Sequence, residues 1–287
     1  MNKGGGVTLT RLHWGRGVGS KALMHAALVV ASVVSAAPML WMVLGSLKSN
    51  GQLLTNVWGV PKRLQWSNFS TAWQAGSFAT YLRNSVVVNA ATVLIVVVVG
   101  YLAAFCIARL GVGSTVLAGC SVLLFVPVQL FLVPIYQLET SLHLINTTIG
   151  LVLPYSAGAV PFAVVFLTLY LRTIPRELEE ACQVDGAGRF RTLWEVLLPI
   201  SRPAFGAVVI VTLLTTWNEF LLALTLLQDN GLRTAPVGLY NFVSAFGVQD
   251  YPVMFAALTV ASVPLLVVFI VFQKQFVSGL TAGALKM

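Results

Sequence analysis

The sequence predicts an all-α membrane protein, a bundle of six transmembrane helices, from three observations. Of the 287 residues, 57% are hydrophobic and only 9% are charged, whereas soluble domains carry about a quarter charged residues. Six apolar stretches of about 20 residues or more are long enough to cross a bilayer as helices. None of these stretches alternates in the way that strands of a membrane barrel do. The bilayer is therefore expected to be the main solvent of the chain.

The six predicted spans are almost free of charge, because Glu219 is the only acid or base in them. We expect residues 1–25 to form an N-terminal tail, residues 26–272 to form the transmembrane domain, and residues 273–287 to form an extended C-terminal tail. The spans are predicted at residues 26–45, 86–108, 115–136, 149–171, 204–227 and 253–272.

The lysines and arginines predict how the bundle is oriented. If the N-terminus is cytoplasmic, the cytoplasmic segments hold 12 of the 17 basic residues. This excess places both termini in the cytoplasm of a multi-pass protein. The net charge of +8 is then explained by topology and contact with anionic lipid, and does not indicate nucleic-acid binding.

Residues 172–203, between spans four and five, form a polar connection that holds five of the nine acids in the chain. Pro175 can begin a helix, and acidic residues follow it at the positive end of the helix dipole. The turn at 185–188 breaks this helix, because Gly permits positive φ and Asp favours turns. A second amphipathic helix is predicted up to Pro199, with an Arg191–Glu195 pair on its polar face. Its apolar face comprises Phe190, Leu193, Trp194, Leu197 and Leu198.

The mixed charge of residues 172–203 favours a protein surface as their partner, since membrane-surface helices carry a mostly basic polar face. The alternative is a solvated helical hairpin that only joins two spans. Helical periodicity alone leaves both possibilities open.

The order Glu180-Ala181-Cys182, three residues, Gly186, nine residues, then Val196-Leu197-Leu198-Pro199 resembles the EAA loop of ATP-binding-cassette (ABC) importer permeases of the carbohydrate branch. The chain departs from that pattern with Cys in place of the second Ala and Val in place of Ile. Residues 216–220 and 279–284 look like the corresponding parts of MalG-like maltose-permease subunits. The resemblance covers nearly the whole chain, although the final Met287 differs from the Gly-ended tails of that family.

This resemblance implies a MetI-like/MalG-like permease fold, with residues 172–203 as a cytoplasmic helix-turn-helix that couples to the ATPase, called the coupling segment below. It implies a subunit of a bacterial or archaeal cytoplasmic-membrane importer that forms half of the pathway for a sugar or sugar-like solute. The implied partners are a second homologous permease, two cytoplasmic ATP-binding subunits and an extracytoplasmic solute-binding protein. The residues expected to couple to the ATPase are Glu179, Glu180, Ala181, Cys182, Asp185, Gly186, Ala187, Leu198 and Pro199.

Catalytic chemistry is not expected in this chain. It has no G-x-x-x-x-G-K-[ST] phosphate-binding motif, so ATP and magnesium belong to the partner ATPase and the chain itself binds no cofactor. His13, His25 and His143 lack metal-ligand spacing, so neither a metal site nor a membrane-embedded enzyme is indicated.

Five polar or aromatic residues are candidates for the pathway: Trp217, Asn218, Glu219, Asn89 and Gln129. An acid within a span faces a cavity or is held by a polar partner, and both interpretations of Glu219 stay open. Asn89 and Gln129 have the alternative role of hydrogen-bonding between helices. An ion-driven secondary carrier is the alternative function, but it needs coupling groups in the membrane, and Glu219 is the only one.

Two segments predicted to be extracytoplasmic are large enough to meet a binding protein. The first, residues 46–82, contains Trp58, Trp66 and Trp73, which can alternatively form an interfacial aromatic belt. The second, residues 228–252, contains a turn at Asp229-Asn230-Gly231, which is our candidate for contact with the binding protein.

Overall fold

Helices dominate the part of the chain that the computed structural model describes, residues 18–74, 77–246 and 250–284. A π-helical turn at Leu193–Leu197 links α9 to α10, and short 3₁₀ turns lie at Val128–Phe131 and Asn230–Leu232. The α-helices are α1 (Val18–Ser46), α2 (Asn50–Thr55), α3 (Ser67–Gln74), α4 (Phe78–Arg109), α5 (Ser114–Leu123), α6 (Leu132–Ser141), α7 (Thr148–Thr173), α8 (Glu177–Val184), α9 (Arg189–Thr192), α10 (Leu198–Ile200), α11 (Arg202–Trp217), α12 (Leu221–Leu226), α13 (Ala235–Phe246) and α14 (Tyr251–Ala284).

Four helices are long and apolar enough to cross a membrane unaided: α4, α7, and the parts of α1 and α14 at Lys21–Ser46 and Tyr251–Gln275. Two bent pairs raise the number of candidate spans to six within the described residues. Ser114–Leu123 and Val128–Ser141 meet at 93°, and Arg189–Ile200 and Arg202–Trp217 meet at 71°. The predicted all-helical membrane bundle is confirmed.

The third predicted span, residues 115–136, is broken. α5 ends at Leu123, Pro127 is extended with ψ of 131°, and α6 then continues to Ser141. Pro127 has no backbone N–H to continue the hydrogen-bond ladder of a helix. The extension to Ser141 also brings Glu139, which lies outside every predicted span, into this bent pair.

The fifth predicted span, residues 204–227, is broken without a proline. α11 ends at Trp217 and α12 begins at Leu221. Between them the Glu219 carboxylate accepts hydrogen bonds from the backbone N–H groups of Leu222 and Ala223, at 2.9 and 3.2 Å. A side chain that satisfies the first free N–H groups of a helix favours a helix start. Glu219 therefore starts α12 inside the predicted span.

The predicted tails differ from the structure at both ends. The C-terminal tail is not extended, because α14 continues to Ala284. Adding residues to an existing helix is far easier than starting one, so α14 persists through the glycines of this segment. At the other end α1 begins at Val18, inside the tail predicted at residues 1–25. Residues 1–17 and 285–287 lie outside the described part of the chain.

The centre of the bundle is the contact between α4 and α7. At their closest approach a Cβ on Gly100 would lie 2.6 Å from the Cβ of Ala163, so glycine permits the two backbones to come together. The core around this contact also includes the coupling segment and α11. Its buried residues are Val96, Tyr101, Ala104, Ala108, Ala163, Leu167, Leu171, Ile174, Leu193, Leu197, Ala204 and Val208.

The bundle has two ends with different contents. One end of the bundle, the coupling end, carries α8, α9 and α10. The bond that locates it runs from the Tyr101 hydroxyl, near the end of α4, to the Leu193 carbonyl, at 3.2 Å. The opposite end carries residues 142–147 and 227–234, which are joined by a hydrogen bond from the Gln228 backbone amide to Asn146 Oδ1 at 2.7 Å. The bends in the third and fifth predicted spans border an open cavity that α7 also lines.

Candidate functional site

The coupling segment folds as two helical arms joined by a turn. Gly186 has a φ of 81°, and the Ala187 amide donates to the Cys182 carbonyl at 2.9 Å across the turn. A Cβ on Gly186 would meet nothing within 4 Å. The position therefore requires glycine for its backbone conformation and not for space.

Two details of the predicted arms are wrong. The first arm begins at Glu177, two residues beyond Pro175. The second arm does not end at Pro199, since α10 continues to Ile200 and the Ser201 amide still donates to the Leu197 carbonyl at 2.9 Å. The π-helical turn before Pro199 widens the backbone, which lets the helix pass a residue that lacks a donor.

A buried ion pair joins the first arm to the transmembrane helices. The Arg109 Nε and the Glu179 Oε1 lie 2.5 Å apart, with 5% and 14% of the two side chains exposed. The Arg109 Nη2 also donates to the Ile174 carbonyl at 2.9 Å. Sequence spacing could not identify Arg109 as a partner, because 70 residues separate it from Glu179 and nothing local connects them.

Glu180, next in the chain, is exposed and has no side-chain hydrogen bond or ion pair within the described residues. Large apolar side chains are exposed on the same segment, with Val184 87%, Phe190 77% and Trp194 50% exposed. The predicted apolar face is therefore divided: Leu193 and Leu197 are buried in the bundle, whereas Phe190 and Trp194 point outward. An exposed apolar and charged surface of this kind is typical of a protein interface.

The other predicted coupling residues lie around the turn and at the end of the second arm. Ala181, Asp185 and Pro199 are exposed, and Cys182, Ala187 and Leu198 are half-buried. The predicted Arg191–Glu195 pair forms at 2.8 Å, but both side chains are more than 60% exposed. A pair this exposed contributes little to stability.

A cavity of about 800 Å³ lies between the bent pair α5–α6, α7 and α11. Most of its wall is apolar. The polar side chains in the wall are Gln129, Glu139, Tyr155, Thr212, Thr215, Thr216 and Glu219. This cavity is the candidate pathway.

Glu219 lies in the cavity wall and is also fully engaged there. Its Oε2 accepts a 2.7 Å hydrogen bond from the Tyr155 hydroxyl of α7, in addition to the two backbone bonds from α12. The two interpretations left open by the sequence thus describe the same residue. Glu219 faces a cavity, and its carboxylate is held by hydrogen bonds.

The other pathway candidates separate into two groups. Gln129 lies in the cavity wall, whereas Asn89, Trp217 and Asn218 do not. Asn89 is buried and accepts a hydrogen bond from the Thr216 hydroxyl at 2.5 Å, so it links α4 to α11. Trp217 is 5% exposed, and the Asn218 amide donates back to the Leu214 carbonyl at 2.8 Å.

Glu139 is a cavity residue that the sequence did not identify. It is only 4% exposed, and no described group donates a hydrogen bond to its buried Oε2. The prediction missed it because the third span was placed at 115–136 and the acid falls three residues later. Apolar residues at helical spacing, Ile135, Leu138 and Leu142, continue past residue 136 and were the available signal.

At the opposite end, the predicted turn at residues 229–231 is exposed and firmly supported. The Asp229 carboxylate accepts from the Gly231 amide at 2.8 Å. Asn146 Oδ1 accepts from the amides of Gln228 and Asp229, at 2.7 and 2.8 Å. Asn84 Nδ2 donates to the Gly231 carbonyl at 2.9 Å. The turn is thus presented by two asparagines from other parts of the chain.

The tryptophans of residues 46–82 are also exposed, with Trp58 84%, Trp66 64% and Trp73 49% exposed. The same segment contains a buried lysine, Lys48, whose Nζ donates to the carbonyls of Asn56 and Val57 at 3.0 and 2.8 Å. These bonds order the connection between α1 and α3. Within the described ranges, no group of three or more His, Cys, Asp or Glu side chains could hold a metal ion.

Residues 96–282 match the family described as "Binding-protein-dependent transport system inner membrane component". The chain is 36% identical over 257 residues to the probable ABC transporter permease protein YurM of Bacillus subtilis strain 168, covering 88% of this chain and 85% of that protein. It is 34% identical over 273 residues to the diacetylchitobiose uptake system permease protein NgcG of Streptomyces coelicolor, covering 92% and 89%.

A solved structure shares the fold. The crystal structure of a bacterial ABC transporter involved in the import of the acidic polysaccharide alginate superposes with a TM-score of 0.73 at 18% identity, over 92% of this chain and 99% of that one. The MetI-like permease fold predicted from the sequence is thereby confirmed. The family match covers more than half of the chain, and it includes the coupling segment and the cavity helices α7 and α11. The chain is a multi-pass inner-membrane protein that belongs to the binding-protein-dependent permeases of ABC transporters.

Proposed function

We propose that this chain forms half of the translocation pathway of an importer for a sugar or sugar-like solute, and that a second, related permease forms the other half. The observation that carries this proposal is the difference between two neighbouring acids. Glu179 is buried against Arg109, whereas Glu180 is exposed and free to pair with another protein. One side of the first arm thus holds the transmembrane helices, and the other side is available to a partner.

ATP hydrolysis takes place in a separate ATPase subunit, because permeases of this family lack that activity. The exposed surface of the coupling segment supports docking on that subunit. Phe190 and Trp194 supply apolar area and Glu180 supplies a charge. Closure of the ATPase would move α8, and the ion pair would pass this movement to α4.

The cavity supports a pathway shared between two permeases. Its walls come from α5 to α7 and α11 of this chain, and a second bundle would complete the pathway. Hydroxyl, amide and carboxylate groups among its apolar walls suit a hydroxyl-rich solute. NgcG, which this chain resembles over most of its length, is named for diacetylchitobiose uptake, and this name supports the carbohydrate assignment.

The opposite end supports contact with an extracytoplasmic binding protein at Asp229, Asn230 and Gly231, which are exposed. The distribution of Lys and Arg supports a cytoplasmic location for the coupling end and for both termini. An ion-driven carrier would not need an ATPase-docking segment. Because the chain belongs to the ABC permease family, an ATP-driven importer is preferred to the carrier alternative.

The test is reconstitution of the permease pair with its ATPase and binding protein in liposomes. We expect ATP-dependent accumulation of at least one of three radiolabelled probes: diacetylchitobiose, trehalose or arabinotriose. Liposomes that lack the second permease should accumulate none of them. Accumulation by this chain alone, without an ATPase, would contradict the proposal, as would a complete complex that hydrolyses ATP but transports none of the three sugars.

A further inference from the structure

Two glutamate side chains line the cavity, and they differ in how many hydrogen bonds their carboxylates accept. Glu219 accepts three hydrogen bonds, from Tyr155, Leu222 and Ala223. Glu139 is 4% exposed, and its Oε2 receives none from the described residues. Burying a carboxylate without a partner is costly. A residue retained at such a cost is a candidate for function, because the fold would gain from an apolar side chain there.

The Glu139 side chain lines the cavity, is packed closely against the start of α7, and has no compensating charge beside it. The ion pairs formed by the described residues are Arg109–Glu179 and Arg191–Glu195, so neither involves Glu139. A Cβ on Gly150 would lie 2.9 Å from the Glu139 Oε2 and 2.2 Å from the Leu144 carbonyl oxygen. Glycine at the start of α7 therefore permits the close approach of the carboxylate and the Leu144 carbonyl to this helix.

Three other hydroxyl groups of the cavity are occupied by the protein itself, whereas Thr212 Oγ1, like Glu139 Oε2, is buried without a partner among the described residues. The Tyr155 hydroxyl donates to Glu219. The Thr216 hydroxyl contacts Asn89 and the Thr212 carbonyl, and the Thr215 hydroxyl bonds to its own helix. These hydroxyls line the cavity, but their protons already have acceptors. Glu139 is the acid in this wall that still has an acceptor to offer.

We propose that Glu139 is a specificity-determining residue of the pathway, which accepts a hydrogen bond from a hydroxyl or amide N–H group of the solute as it crosses the cavity. This inference rests on the proposed function and adds a residue to it. A carboxylate accepts such bonds strongly. Because this carboxylate lies inside the bundle, solutes that carry hydrogen-bond donors are favoured over apolar molecules of the same size.

A purely structural role and a solute-binding role predict opposite effects of Glu139→Leu. If the carboxylate only supports the fold, leucine removes a useful group and the melting temperature falls. If the carboxylate serves the solute, leucine removes an uncompensated buried group, and the melting temperature stays the same or rises. Glu139→Gln keeps the size and one acceptor and should lie between wild type and leucine in transport.

The experiment uses the complete complex with its binding protein, and it measures both the melting temperature and uptake of radiolabelled diacetylchitobiose, trehalose and arabinotriose. For Glu139→Leu we expect unchanged or higher thermal stability, normal assembly, and uptake reduced roughly tenfold or more, since a hydrogen bond to a charged group is lost. Glu139→Gln should retain most of the uptake. Gln137→Leu, at an exposed polar residue of the same helix that is not in the cavity wall, should transport like wild type.

Two outcomes overturn the inference. One is wild-type uptake by Glu139→Leu, which leaves the importer assignment intact because the wild-type complex still transports. The other is a melting temperature lowered by roughly 2 °C or more, which makes Glu139 a structural residue. The stability measurement decides this second point without any sugar. A wild-type complex that transports none of the probes contradicts the proposed function separately.

Discussion

The Arg109 guanidinium and the Glu179 carboxylate join the end of α4 to the first arm of the coupling segment, and both side chains are largely removed from water. The pair makes α8 an extension of the transmembrane bundle. Because Arg109 also holds the Ile174 carbonyl, three elements meet at one side chain: α4, the end of α7 and α8.

Arg109→Gln should uncouple the permease. Removing one partner of a buried pair leaves the other charge unsatisfied, at a cost of about 3 kcal/mol or more. We expect lower thermal stability and a loss of ATP hydrolysis stimulated by the binding protein, with the ATPase still bound through Glu180. The matched control is Arg191→Gln, which breaks a pair that is more than 60% exposed and should cost less than about 1 kcal/mol. Equal effects of the two variants would contradict the coupling role of Arg109.

Gly186→Ala should destabilise the turn through backbone conformation alone. The φ of 81° is unfavourable for a side chain by about 1 kcal/mol, and no neighbouring atom would clash. Gly188→Ala is the control, since Gly188 has a φ of −71° and also has free space around it. Thermal unfolding and affinity for the ATPase should change for Gly186→Ala and not for Gly188→Ala. A comparable loss in both would mean that the turn conformation is not what matters.

Glu219→Ala should impair transport more than membrane insertion. It removes the group that starts α12, at a cost of about 1–2 kcal/mol, but an uncharged residue inserts more easily. Tyr155→Phe removes only one of the three hydrogen bonds to this carboxylate and should cost about 1 kcal/mol. Insertion is measured by the yield of assembled complex and transport by sugar uptake. Normal uptake by Glu219→Ala would show that the break in the fifth span is dispensable.

Asn146→Ala should weaken contact with the binding protein indirectly, through the turn at residues 229–231 that Asn146 supports. It removes the acceptor of the Gln228 and Asp229 amides and places alanine at a φ of 62°. Asn146→Asp keeps the acceptor and tolerates that conformation, so it serves as the control. We expect a lower affinity for the solute-loaded binding protein in Asn146→Ala only. If Asn146→Ala binds normally, the turn at 229–231 does not make the contact.

The helical membrane fold and the family could be predicted from the sequence because both depend on local patterns. The length of the apolar stretches predicts the spans, and the spacing of Glu180, Gly186 and Pro199 predicts the coupling segment. The break at Glu219 could not be predicted in the same way. It depends on bonds from the residues that follow and from Tyr155, and a continuous apolar run conceals them.

Contacts between distant segments were the main features that sequence analysis missed. Arg109 meets Glu179 across 70 residues, and Asn146 meets Asp229 across 83. Glu139 was missed for a different reason: an error of a few residues in the end of one span moved a buried acid into a connection. Boundaries are the least certain part of any pattern-based prediction, and here the boundary concealed the residue that we propose contacts the solute.

Charge reversal at Glu180 tests the central claim most directly, because this residue is exposed, unpaired within the described residues and placed on the docking arm. The measurement is co-purification of the ATPase with Glu180→Lys, beside Asp250→Lys as a charge-matched control at the opposite end. We predict a loss of about tenfold or more in bound ATPase for Glu180→Lys, with normal insertion, and no loss for Asp250→Lys. Normal co-purification and normal stimulated ATP hydrolysis by Glu180→Lys would contradict the account and reduce the coupling segment to a connector.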